Sequence, residues 1–156
     1  YKDRIISIKD KMPDCCIGVD VIVGFPGETE ELFQETYNLL NELDVSYLHV
    51  FTYSERENTA AIEFDNIVDK KTRSERATKL ILLSEKLKRA FYSKYISSNH
   101  TALLEEEDHD GFLYGFTDNY IKIKVPFHKH LQKSKQKVFL QKIDSDGIVL
   151  SKIITN

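Results

Sequence analysis

Thiols are scarce in this chain of 156 residues: the only two cysteines, Cys15 and Cys16, are adjacent. Neighbouring side chains on a strand point to opposite faces, so the pair can neither clamp one metal nor easily bridge each other. Without a spaced cysteine framework the chain reads as suited to a reducing, cytoplasmic setting, with both thiols as small buried apolar groups. Long apolar runs are missing too. The longest falls far short of the roughly 18–20 residues a membrane span needs, and no signal peptide is visible. Net charge is small, −3, which by itself argues against a nucleic-acid binder. There is no internal repeat, no low-complexity tract and no Ser/His/Asp or Cys/His nucleophile arrangement. What is present, 41% hydrophobic and 30% charged residues, belongs to a soluble globular protein. The chain begins at Tyr1 inside an amphipathic pattern (Ile5, Ile6, Ile8, Met12), so a piece of a longer protein is expected.

Order along the chain points to two parts. Residues 1–12 read as a helix stopped by "MPD", and "CCIGVDVIVGF" as a strand buried on both faces, the pattern of a parallel sheet. "TEELFQETYNLLNELD" places Leu32, Phe33, Thr36, Tyr37, Leu39, Leu40 and Leu43 at helical spacing, with Thr29 as N-cap and Glu30 and Glu31 in the first turn. "VSYLHVFTYS" is a second strand, so the stretch is a βαβ unit. After the polar loop "ERENTAAIEFDN", roughly Asp69–Ile96 forms a long helix with Leu80, Leu83, Leu87 and Phe91 on one stripe. Five short strand patterns then follow ("HTALLEEE", "GFLYGF", "NYIKIKVPF", "QKVFLQKI", "GIVLSKI"), spaced as in a small antiparallel barrel. The expected domains are 1–96 and 97–156.

Charge is unevenly spread. Residues 1–95 carry 14 basic and 17 acidic side chains, and residues 96–156 carry 8 of each. Within the second part "EEEDHD" (Glu105–Asp110) is acidic, whereas Asn119–Ile143 holds seven lysines and no acid. Such a local basic stripe can bind a polyanion whatever the total. The "GFPGE" turn of Gly24–Glu28 is a poor phosphate loop: no Lys-Ser/Thr pair follows Gly27, the dinucleotide glycine spacing is absent, and Glu28, Glu30 and Glu31 repel an anion. "HKH" (His128, Lys129, His130) lacks a third ligand, and His49 on an apolar strand reads as a hydrogen-bonded core histidine.

Taken in order, "GVDVIVGFPGETEELFQET", "HVFTYSERENTAA", the long helix and "LYGFTDNYIKIKVP" resemble the C-terminal part of the radical-SAM tRNA methylthiotransferases. "GFTDNYIKIKVP" is most similar to the clade acting on threonylcarbamoyladenosine. The resemblance implies an α/β fold: the last part of a parallel-stranded partial (β/α) barrel, a long linking helix, then a small antiparallel β-barrel, the TRAM RNA-binding module. It also implies an enzyme that methylthiolates C2 of a modified adenosine beside the anticodon. In that chemistry an iron–sulfur cluster reduces S-adenosylmethionine, the deoxyadenosyl radical takes the C2 hydrogen, an auxiliary cluster delivers sulfur, and a second S-adenosylmethionine supplies the methyl group. Cluster loops use C-x-x-x-C-x-x-C thiolates, and no such spacing exists here. The cluster ligands are therefore expected in a missing N-terminal part of the same polypeptide, and this piece is expected to be inactive alone, with tRNA (the anticodon loop) as partner, no membrane, and no catalytic or metal-binding residue of its own.

Carried over residue by residue, the resemblance puts Asp20, Ile22 and Gly24 on the S-adenosylmethionine side, with Tyr53 and Ser54 near it. Ile22 suits either core or ligand contact, since apolar surface serves both, and Gly24 either admits a ligand to the backbone or only turns the chain. In "YSERENTA" Asn58 and Glu55 stand where glycine and proline are usual, and Asn tolerates the left-handed region. Arg56 either contacts RNA phosphate, which its fork suits, or pairs with Glu55 or Glu57. In "YGFTDNYIKIKV", Ile121, Ile123 and Val125 share one face and Lys122 and Lys124 the other, extended by Lys129, Lys133, Lys135 and Lys137. That lysine face either tracks a phosphate backbone or is simply solvated. Phe116, Thr117, Asn119 and Tyr120 suit unpaired bases; the aromatics serve equally as core. Two rivals stand beside this reading: the sister enzyme that methylthiolates an aspartate of a ribosomal protein, and a non-enzymatic RNA-binding module. The residues encoded upstream of Tyr1 decide between enzyme and module.

Overall fold

The structure, a computed structural model, describes residues 1–154 and their side chains except those of 106–109, so most of the acidic run Glu105–Asp110 lies outside the described side chains. Two compact units divide the chain: residues 1–11 with 17–88, and residues 12–16 with 89–156. Sequence pattern puts the boundary near Ser97; packing divides the chain inside the long helix, after Lys88.

The first unit contains α1 (Lys2–Lys11), β1 (Gly18–Val23), α2 (Glu30–Glu42), β2 (Tyr47–Thr52) and most of α3 (Lys70–Ser93). β1 and β2 pair in parallel, Gly18 opposite Tyr47 through Val23 opposite Thr52, with α2 as the crossover. The expected cap is present: Thr29 Oγ1 accepts from the Leu32 amide at 3.3 Å. Phe33 and Leu40 of α2 and Leu80 and Leu83 of α3 bury against Val19, Val23 and Leu48. Each such side chain contributes about 1.5–3 kcal/mol by leaving water. Ser84 of α3 reaches β2, accepting from the Leu48 amide at 2.8 Å and donating to the Leu48 carbonyl at 3.1 Å. A helix hydroxyl thus satisfies a strand edge that lacks a neighbour.

Three expectations change. β1 is not buried on both faces: its burial alternates, Val19 and Val23 going inward while Ile22 is 58% exposed. Only one layer, the helices, covers the two-stranded sheet among the described residues. His49 is exposed and not in the core, because its strand parity places it opposite Asp20 on the open face, its ring edge-on to Tyr47 at 4.9 Å. Cys15 and Cys16 precede the strand, which starts at Gly18, and both are half-buried without a disulfide.

The second unit is a closed barrel of β3 (Asn99–His109), β4 (Phe112–Thr117), β5 (Lys122–Pro126), β6 (Lys135–Ile143) and β7 (Val149–Ile153), in the order β3-β4-β5-β7-β6. The five expected strands are all present. The barrel is not wholly antiparallel, however, because β7 enters between β5 and β6 and pairs with β5 in parallel, Ile123 opposite Val149. Inward positions are filled by Leu104, Leu113, Ile121, Ile123, Val125, Val138, Leu140 and Val149, with Phe91 and Tyr92 from the end of α3. Gly115 is an inward position that stays empty by necessity: a Cβ there would lie 2.2 Å from the Leu103 carbonyl oxygen. Among the described residues no helix is long and apolar enough to cross a membrane.

Candidate functional site

In the first unit the C-terminal ends of β1 and β2 open into a cavity of about 500 Å³ lined by Ile22, Phe25, Phe51, Thr52, Tyr53, Ser54, Arg56, Thr59 and Ala61. Ile22 and Phe51 face each other across the strand pair and are 58% and 53% exposed. Phe25 meets Tyr53 and Phe64 edge-on at 5.3 and 6.0 Å, closing one side with aromatic rings. Apolar plates with a few hydroxyls at one edge are the usual makeup of a small-molecule site. Of the residues expected at a cofactor, Ile22, Tyr53 and Ser54 come together here. Asp20 lies two residues down the same open face, and Arg56 lies on the cavity wall.

Gly24 is placed differently. Its φ is +77°, and a Cβ on it would strike the Arg73 side chain at 2.3 Å, so its free space faces α3. The turn it starts is internally satisfied: the Gly24 amide donates to Glu28 Oε2 at 2.7 Å, that of Gly27 to Asn66 O, and that of Glu28 to Phe25 O. Those amides are therefore spent, which agrees with the exclusion of phosphate. Asn58 takes φ +62°, the left-handed conformation its sequence context anticipates. Glu55 does not pair with Arg56; it accepts from Arg73 at 2.6 Å, and this bond holds its carboxyl below the ordinary value.

Sequence pattern alone does not single out the arginines that organise these loops. Arg73 and Arg76 of α3 are both 5% exposed. Arg73 donates to Val68 O, Tyr53 O and Glu55, and Arg76 donates to the carbonyl and carboxylate of Glu28 and to Glu30. They tie the two cavity-lining turns to one helix face. Arginine three positions apart on an amphipathic helix reads as solvated unless its partners, here 18 and 48 residues away, are known.

On the barrel, register creates an outward row across four strand positions: Lys135 of β6 lies opposite Leu103 of β3, Leu103 opposite Phe116 of β4, and Phe116 opposite Lys122 of β5. Leu103 is 61% exposed, and the Tyr120 ring, itself 55% exposed, stacks on Phe116 at 4.8 Å and 20°. An apolar and aromatic strip with a lysine at each end results. Thr117 and Asn119 sit beneath it and are buried: Thr117 Oγ1 donates to Asn119 Oδ1 at 2.7 Å and accepts from the Ile121 amide at 2.8 Å. They shape the turn that lets Tyr120 hold φ +67°.

Lys122 lies half-buried over the Tyr114 ring at 5.8 Å. Lys124, expected beside it on a lysine face, is 7% exposed and committed within the barrel. Its ammonium donates to Asp144 at 2.8 Å and Asp146 at 2.6 Å, above the Phe112 ring. Hydrogen bonds from Lys124 hold both carboxyls below their ordinary value of 3.8, and those carboxylates in turn raise the lysine. The depressed carboxyls give stability that is complete above the unfolded value and lost as pH falls through the lowered folded values. We expect Lys124→Met to remove that acid-side loss, seen as a flatter dependence of thermal midpoint on pH below about 4. An unchanged pH dependence would show that the triad contributes nothing.

No protein-family model matches the chain. Among curated proteins it is 40% identical over 127 residues to the threonylcarbamoyladenosine tRNA methylthiotransferase MtaB of Bacillus subtilis, 79% of this chain and 28% of that protein. It is 38% identical over 133 residues to MtaB of Aquifex aeolicus, 85% of this chain and 31% of that one. The tRNA-2-methylthio-N(6)-dimethylallyladenosine synthase of Bdellovibrio bacteriovorus is 34% identical over 110 residues, 70% and 24% of the respective lengths. The chain thus spans under a third of the curated relatives it matches. On that similarity the chain matches a C-terminal piece of the tRNA methylthiotransferases.

Proposed function

We propose that this chain is the C-terminal part of an enzyme that methylthiolates threonylcarbamoyladenosine next to the anticodon of tRNA, and that its own task is to hold RNA on the barrel. The row Lys135–Leu103–Phe116–Lys122 with Tyr120 stacked on it carries the RNA part. Bases stack on exposed rings at roughly 1–3 kcal/mol each, and flanking lysines follow the phosphates. The barrel then serves as the TRAM module. Thr117 and Asn119 set the turn, Lys124 is an internal ion pair, and Lys122, Lys135 and Lys137 provide the charge.

The first unit is the end of the partial (β/α) barrel. Its cavity fits the adenosyl part of S-adenosylmethionine, which would contribute the transferable methyl and the radical precursor: Ile22 and Phe51 offer apolar plates, and Thr52 and Ser54 offer hydroxyls. Arg56 stands at the wall where a substrate phosphate enters, and its guanidinium makes no ion pair among the described residues. Iron–sulfur clusters do not fit this chain. The two cysteines are adjacent, and no group of three His, Cys, Asp or Glu among the described residues is placed to hold a metal. Cluster chemistry therefore belongs to residues outside the chain, and the piece alone is inactive.

Binding of an anticodon stem-loop at two salt concentrations tests the RNA part. Affinity should fall steeply with salt, and Tyr120→Ala should weaken binding about tenfold or more at fixed salt. Binding that is absent at low salt, or indifferent to Tyr120, would reject it.

A further inference from the structure

Beside the Phe116–Tyr120 stack the barrel has a second feature, a cavity of about 330 Å³ lined by Asn99, His100, Thr101, Asp118, Lys137 and Ile154. Asp118 belongs to the same turn as Tyr120, and its amide donates to Thr101 O at 2.8 Å, fastening the turn to β3. Its carboxylate Oδ1 lies 2.9 Å from His100 Nδ1. The other ring nitrogen of His100 lies 3.0 Å from Ser98 Oγ, whose hydroxyl donates to Tyr95 O at 2.5 Å. With the serine proton spent on that carbonyl, Ser98 Oγ and Asp118 Oδ1 both present acceptors, and the single N–H of a neutral imidazole orients Asp118 when it sits on Nδ1. Asp118 itself stays 58% exposed, against 14% for His100, and its Oδ2 makes no hydrogen bond among the described residues. Lys137 lies opposite Thr101 in the register and completes the cavity wall.

A carboxylate is an odd neighbour for a stacking platform meant for a polyanion. Bare, it repels phosphate; it is useful only if the ligand brings a donor to it. A ribonucleotide brings one that a deoxyribonucleotide lacks, the 2′-hydroxyl. Resting on the RNA reading above, we infer that Asp118, oriented by His100, accepts a hydrogen bond from the ribose 2′-hydroxyl of the nucleotide next to the base stacked on Tyr120. Lys137 takes the adjoining phosphate. The cavity is thereby a subsite that selects RNA over DNA, with His100 as its positioning residue.

The test uses the whole chain with a fluorescein-labelled single-stranded oligoribonucleotide, the DNA of matching sequence, and RNAs carrying one 2′-deoxy sugar at each position in turn. The wild type should bind RNA about tenfold or more tighter than DNA, as a hydrogen bond to a charged group implies. A single deoxy position should account for most of the difference. Asp118→Ala should close the gap by weakening RNA and not DNA, whereas Lys137→Ala should weaken both and lower the salt slope by about one. Equal wild-type affinity for RNA and DNA, or a preference that survives Asp118→Ala, overturns the subsite while leaving RNA binding intact. Binding to neither overturns the RNA reading and the subsite together. The deoxy scan on wild-type protein keeps the proposal decidable if a variant fails to fold.

Discussion

Gly115→Ala is expected to unfold the barrel. The added Cβ would meet Leu103 O at 2.2 Å and the Leu103 carbonyl carbon and Leu104 Cα at 3.0 Å. All three are backbone atoms of the paired strand, so no side chain can rotate away. Relief requires β3 and β4 to separate where they are joined by the Leu104–Gly115 register and where β3 then shifts register before Asp108. Overpacking that side chains absorb costs about 1–3 kcal/mol, and one resisted by two strands exceeds that range. A marginally stable domain has little more than that to lose. Near-UV circular dichroism of the tyrosines during heating should show the barrel transition lost or lowered by more than about 10 °C. RNA binding should disappear with it, because Phe116 is the next residue on the strand. A midpoint within about 2 °C of wild type would mean the strands are not in such close approach.

Arg76→Met should destabilise the first unit by about 3–5 kcal/mol. The guanidinium is 5% exposed, lies 2.7 Å from Glu28 Oε2, 3.0 Å from Glu28 O and 3.2 Å from Glu30, and covers the Phe33 ring at 5.3 Å. Methionine keeps most of the apolar contact, so the loss reports the charge. Glu28, whose side chain is 14% exposed, would keep a nearly buried carboxylate with only the Gly24 amide to answer it. Breaking a buried pair is costly for this reason, whereas replacing both partners is often near neutral. Urea unfolding of Arg76→Met and of Arg76→Met with Glu28→Gln provides the comparison. The double variant should recover at least half of the loss, and equal stabilities for the two would refute the account.

Periodicity located every strand of the barrel, because alternation over Ile121, Ile123 and Val125 leaves one consistent inward face, and all three are fully buried. Capping chemistry located the start of α2 to the residue at Thr29. Long-range partners were not legible. Lys124 follows the same alternation as Lys122, and nothing local says that Asp144 and Asp146, on the turn after β6, reach back to it. Arg73 and Arg76 look like ordinary surface residues of a charged helix until the β-strand turns are folded against them. His49 escapes the pattern because an apolar strand suggests two covered faces, whereas the described sheet has one. The aromatic strip across Leu103 and Phe116 depends on register between strands, which single-strand patterns do not carry.

Insertion of β7 between β5 and β6 has a consequence for how the barrel is made during synthesis. Chain order brings β3, β4, β5 and β6 off the ribosome first, yet β5 and β6 are not neighbours, and each waits with an unpaired edge for Val149–Ile153. Unpaired edges recruit strands from other chains. The nascent barrel is therefore most prone to aggregation in the interval between the appearance of Ile143 and that of Ile153, and closure is a late, non-local event.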